Sequence, residues 1–166
     1  MIFNIKIIAL AACIPLVVGF IWYNPKVFGS AWMKETGITE DKAKSANMFL
    51  TLGLTYFLSL FVASTIGMLS IHQNGFWQTL NNQAGLMTVG SDINLYATDF
   101  MQRFGSEFRT FKHGSLHGIL AALFFAFPVI AINSMFEMRS WKYILINVGY
   151  WLVSCALMGG VVCAFS

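Results

Sequence analysis

Apolar positions in this chain come in runs too long for a soluble element. Four stretches, at about residues 2–23, 46–71, 114–135 and 141–165, carry only Lys6 and Lys142 as charged side chains, each near an end. Each stretch holds about 20 residues or more, and at about 1.5 Å of rise per residue such a run crosses the roughly 30 Å hydrocarbon core of a bilayer. Where no water reaches the backbone amides and carbonyls, runs of this length fold as helices. The pattern therefore predicts an all-α membrane protein, a four-transmembrane-helix bundle.

The polar intervals refine it. Asn24-Pro25 reads as a helix cap followed by proline at the first helical position, and Gly37 as its end. Over residues 25–36, Phe28, Ala31 and Trp32 share one face, while Lys26, Ser30 and Lys34 share the other. A short interfacial amphipathic helix follows from that split. Thr39 reads as a fresh cap with Glu40 and Asp41 behind it, so the second crossing is expected to start in water near Glu40.

A long loop, about residues 73–112, joins helices two and three, and it is the extramembrane part of the single domain. It is rich in Asn, Gln and Gly yet carries Phe76, Trp77, Leu86, Tyr96, Phe100, Phe104 and Phe108. A disordered linker holds far fewer aromatics, so an ordered cap is expected, with a helical turn or two around Ala97 to Phe104. Residues 137–140 make a tight hairpin between helices three and four. Lipid removes the hydrophobic drive between helices, and small residues then supply the contact. Gly114, Gly118, Ala122 and Ala126 recur every fourth position, as do Cys155, Gly159 and Cys163, and Ser59, Ala63 and Gly67. Pro15 and Pro128 are expected to kink their helices.

Composition agrees. The chain is 57% hydrophobic and 10% charged, with a mean hydropathy of +0.68. Soluble domains carry about 25% charged residues. The net charge of +3 is dispersed, and no basic stripe points to nucleic acid. Membrane lipid is the expected surrounding, with a homo-oligomer or a membrane protein partner engaged through residues 73–112. Cys13, Cys155 and Cys163 all lie in apolar runs and read as buried thiols. The apolar run continues past Cys13 to Trp22-Tyr23, so a retained helix is preferred to a cleaved signal. The loops after helices one and three carry Lys26, Lys34, Lys42, Lys44, Arg139 and Lys142, against Lys6, Arg103, Arg109 and Lys112 opposite. Positive loops stay inside, which favours the cytoplasm for loops one and three.

Several motifs resemble one family. They are Trp22-Tyr23-Asn24-Pro25 with Phe28-Gly29 and Trp32-Met33, then His117-Gly118, Asn133, Phe136-Glu137 with Arg139, Trp141-Lys142, Asn147, Gly149-Tyr150 and Leu157-Met158-Gly159. The chain is similar in these to the bacterial membrane proteins catalogued as domain of unknown function 1761. The resemblance implies a small four-helix protein of the bacterial cytoplasmic membrane, with residues 73–112 as an insertion. It implies no reaction, substrate or cofactor.

Two constellations could carry chemistry. On the loop one and three face, Tyr23, Asn24, Trp32, Asn133, Glu137, Arg139, Asn147 and Tyr150 could line a polar pocket, since polar side chains in membrane helices are costly unless paired or facing a cavity. The other reading has Glu137 pairing with Arg139 or Lys142 and the asparagines bonding between helices. On the opposite face, His113 and His117 stand four apart where helix three starts, and His72 closes helix two. Such a trio can hold a metal, with Cys163 within reach. Gly114, Ser115 and Leu116 lie where a hydrolytic zinc motif carries glutamate. A non-enzymatic structural or interaction protein is the leading expectation. A small-solute transporter using the polar pocket and a metal-binding protein using the histidines are the alternatives.

Overall fold

The structure is a computed structural model and describes residues 4–166. Residues 2 and 3, where the apolar pattern begins, and the side chain of Glu40 lie outside the described residues. Every regular element among the described residues is helical. Four spans are long and apolar enough to cross a membrane: Ile5–Trp22, Met48–Ser70, Phe111–Phe136 and Trp141–Phe165. Large side chains on their outer faces have no protein cover; Phe20, Phe49 and Phe124 are 82%, 91% and 78% exposed. In water such a surface would associate, whereas lipid accommodates it. The chain is a four-helix membrane bundle, as the pattern predicts.

The first span is two pieces, α1 (Ile5–Ala11) and α2 (Ile14–Trp22), broken just before Pro15. At the break the Cys13 amide donates to Leu10 rather than Ala9. The Ala9 carbonyl is satisfied instead by the Cys13 thiol and by the Tyr56 hydroxyl at 3.3 Å. Asn24 then accepts from the Lys26 amide and caps a π-helical turn, Pro25–Gly29, that runs into α3 (Ser30–Thr36). Gly37, at φ 69°, ends it in the left-handed region.

Thr39 does cap a helix, α4 (Glu40–Ser45), but this is not the start of the second crossing. Ala46 is extended, and Asn47 caps the crossing helix α5 (Met48–Ser70) by accepting from the Leu50 amide. Two strong caps eight positions apart make two helices, and the expectation of one continuous helix from Glu40 is corrected.

The long segment is more helical than its composition suggests. It holds α6 (Gln73–Leu80) and α7 (Asp92–Phe104). Phe76 and Phe100 stack at 3.9 Å, and Phe100 meets Phe104 at 5.2 Å. The Ser91 hydroxyl donates to the Gly85 carbonyl and Asn94 to the Leu86 carbonyl, which fold the intervening turns onto α7.

The third span comprises α8 (Phe111–Ala121), a π-helical turn (Ala122–Ala126) and α9 (Phe127–Phe136). The Phe127 amide reaches back to the Ala122 carbonyl, and Pro128 follows with no amide hydrogen to give. The fourth span, α10 (Trp141–Phe165), is the hub: half of it is buried, against 17% for the second and third spans. Ser140 caps it, closing the short hairpin.

The α8–α10 seam holds the bundle. A Cβ added to Gly114 would lie 2.0 Å from the Gly159 carbonyl, and one added to Gly118 would lie 2.0 Å from that of Cys155. Backbones this close admit only glycine, which is how membrane helices gain van der Waals contact. Ile8, Ala63, Ile66, Ala122, Met158 and Val162 fill the core beside the seam. With the crossings alternating in direction, the His72 junction, the start of α8 and the end of α10 share one face.

Candidate metal centre

The loop one and three face gathers part of the predicted pocket. The Tyr23 hydroxyl donates to Asn147 Oδ1 at 3.0 Å, and Asn147 Nδ2 donates to the Tyr143 carbonyl at 2.7 Å. The Tyr150 hydroxyl donates to the Pro15 carbonyl at 3.0 Å, as does Trp22 Nε1 to that of Ile146 at 3.0 Å. Trp32 and Tyr150 pack their rings on Tyr23 at 5.4 and 5.3 Å. Burial, then the neighbouring Tyr150 and Tyr143, pushes the Tyr23 phenol well above its ordinary value, so it stays a donor. Asn24 is the cap already described. These polar atoms are therefore partnered with one another and with backbone carbonyls.

The remaining three residues stand apart. Asn133 is exposed on α9, and Glu137 pairs with Arg139 at 3.5 Å in the exposed hairpin. Arg139 also lies 5.5 Å from the Tyr143 ring. Glu35, which the sequence reading overlooked, ties this end together. Its carboxylate accepts from the Ser140 hydroxyl and faces Lys142 at 3.8 Å. Its place on the amphipathic segment opposite Lys142 was the available signal.

The opposite face brings His72, His113 and His117 together. Their candidate ligand atoms all lie within 4.8 Å of one another. His72 Nε2 and His113 Nε2 are 3.0 Å apart. The ring centroids are 4.9 Å apart for His72 and His113, 5.1 Å for His72 and His117, and 4.6 Å for His113 and His117. His113 and His117 follow one turn apart on α8, whose cap Thr110 accepts from the His113 amide at 3.2 Å. His72 comes from the junction of α5 and α6, where Ile71 leaves the helix at φ −99°, ψ 91°.

Residues that sequence reasoning missed buttress the cluster. Phe108, with φ 60°, lays its ring against His72 at 5.9 Å and His113 at 5.2 Å. Buried Gln73, beside His72, donates through Nε2 to the carbonyls of Phe104 at 2.7 Å and Glu107 at 3.0 Å. A left-handed phenylalanine and a glutamine bonding across 31 positions carry no local sequence signal. Cys163 does not join the histidines. Its thiol is buried and shares its one hydrogen between the carbonyls of Phe108 at 3.4 Å and Ser70 at 3.6 Å. Arg109 donates to the Cys163 carbonyl at 3.0 Å and to that of Ser166, so its charge is drawn toward the end of α10.

Chemically, three imidazoles with no carboxylate in the group suit a borderline transition ion and not an oxygen-seeking one such as Mg²⁺ or Ca²⁺. No curated protein and no solved structure matches the chain. The family model described as "Protein of unknown function (DUF1761)" matches residues 7–163, a range that takes in all four spans but their outermost residues and includes segment 73–112. This helical membrane bundle with its histidine-bearing face belongs to the DUF1761 family.

Proposed function

We propose that the chain is a non-enzymatic metal-binding membrane protein whose His72, His113 and His117 hold one first-row transition ion, with zinc as the best fit. The convergence of three imidazoles from two separate parts of the chain carries this reading. Nitrogens bound to a tetrahedral zinc at about 2.0–2.1 Å lie about 3.3 Å from each other. His72 and His113 are already near that separation at 3.0 Å, and the whole set falls within 4.8 Å. A fourth position is left for water or a further ligand.

Two observations favour binding over catalysis or transport. Gly114, Ser115 and Leu116 separate the two α8 histidines, so the helix carries no general base between its ligands. The polar residues of the other face are joined in hydrogen bonds that lock α2 to α10, and the membrane spans carry no aspartate or glutamate for ion coupling. The excess of cations in loops one and three supports placing those loops in the cytoplasm, with the histidines on the far side.

The test is metal analysis of purified protein, then calorimetric titration with zinc chloride. One zinc per chain is expected. Replacing His113 with Ala is expected to weaken binding by more than about tenfold, since loss of mere outer-shell partners already costs that much. Equal affinity in wild type and His113→Ala would sink the proposal.

A further inference from the structure

We infer that an ion on His72, His113 and His117 acts as a clamp at the root of segment 73–110, so that metal occupancy governs how firmly this segment is held on the bundle. The inference rests on the metal reading above and concerns what binding does. Its basis is the placement of the ligands. His113 and His117 ride on α8, which is fixed to α10 by backbone contact at Gly114 and Gly118. His72 lies outside that rigid pair, at the junction where α5 ends and α6 begins. An ion bonded to all three joins positions 72 and 113 and closes the entire excursion between them.

The root is also connected to the segment it would control. His72 precedes Gln73, whose amide nitrogen donates to the carbonyls of Phe104 and Glu107 at the end of α7. Phe108 packs its ring against both His72 and His113 with its backbone at φ 60°, an uncommon conformation for a bulky residue that neighbouring contacts must hold. The Cys163 thiol bridges the Ser70 and Phe108 carbonyls. Displacing His72 from α8 therefore disturbs the far end of the segment as well as its start. Stacking of Phe76 on Phe100 carries the constraint from α6 to α7.

Linkage sets the size of the effect. An opening that separates His72 from α8 breaks its bond to the ion and leaves only the weaker pair His113 and His117, so at a free zinc concentration one hundred times Kd it becomes rarer by up to about a hundredfold. The experiment is amide hydrogen exchange on the full chain in phosphatidylcholine nanodiscs, with and without zinc chloride. Amides of residues 73–110 that exchange by this opening are expected to slow by more than about tenfold and up to about a hundredfold in the wild type at that zinc excess. Chelation with EDTA is expected to restore the original rates, and His72→Ala is expected to show no zinc effect. Zinc bound with exchange unchanged would overturn the clamp and leave the metal site standing. Failure of the wild type to bind zinc would remove both. Slowing that persists after chelation would also overturn the clamp, and this control does not depend on how well the His72→Ala variant folds.

Discussion

The two ends of the bundle treat polar side chains in opposite ways. At the loop one and three end, Tyr23, Asn147, Tyr150 and Trp22 each donate to a defined acceptor on another element or turn. At the histidine end, three imidazoles crowd together, and the bond between His72 and His113 depends on which ring carries the proton. The first arrangement is complete without a ligand. The second concentrates lone pairs at one point, and lone pairs in one place attract a cation. Aromatic and amide groups thus fix the geometry at one end, while the other end leaves three imidazoles gathered at one point.

The comparison can be broken most severely at the seam both ends share. Gly118→Val is expected to cost more than about 3 kcal/mol, because its Cβ would meet a backbone carbonyl with no room to yield. Loss of the folded, monodisperse protein in detergent would register that, and a normal melting profile would contradict it. Asn147→Leu attacks only the complete end. It removes the acceptor of the Tyr23 hydroxyl and is expected to cost about 1–3 kcal/mol in thermal unfolding while zinc stoichiometry stays unchanged.

The reverse pattern is expected at the other end. His117→Ala, measured without metal, is expected to cost at most about 1 kcal/mol, since the residue is only partly buried and its ring contacts are with His72 and His113. Zinc protection against heat is expected to vanish in the same variant. A large loss without metal would make His117 a packing residue and erase the contrast. The smallest effect belongs to Lys142→Ala. Its 3.8 Å pair with Glu35 has a lysine that is 58% exposed, and such surface pairs contribute at most about 1 kcal/mol. A denaturation midpoint indistinguishable from wild type is the expected result.

Much of the fold was legible because its signals are local or periodic. Runs of about 20 apolar residues have few alternatives to crossing a bilayer, and small residues every fourth position announced the α8–α10 seam. The segment 73–112 was harder. α6 starts at His72 with no side-chain cap, so nothing marks its beginning. α7 did carry marks, Ser91 as cap and the Asp99–Arg103 pair at 2.9 Å one turn apart, yet only its second half was expected.

The candidate sites divide on the same principle. The histidine trio was readable because four-residue spacing and up-down topology place it together without further detail. The polar pocket was only half readable because the π-helical turn at Ala122–Ala126 alters the helical phase. One residue added to a turn rotates everything beyond it by about 100°. Ala126 accordingly lies partly outside the seam that Gly114, Gly118 and Ala122 occupy, and Asn133 faces outward. An α-helical register uninterrupted by a π turn would have carried both inward.

The seam has a consequence for aiming. Each α8 histidine is followed directly by a seam glycine, His113 by Gly114 and His117 by Gly118. The glycines must face α10, so each histidine is held about 100° around the axis from its own glycine, and the two point to the same side of α8 about 40° apart. A roll of α8 would carry a side chain into the contact that only glycine fits. The glycines serve as the sight by which the two imidazoles are pointed, and His72 is the part of the trio left free to come to them.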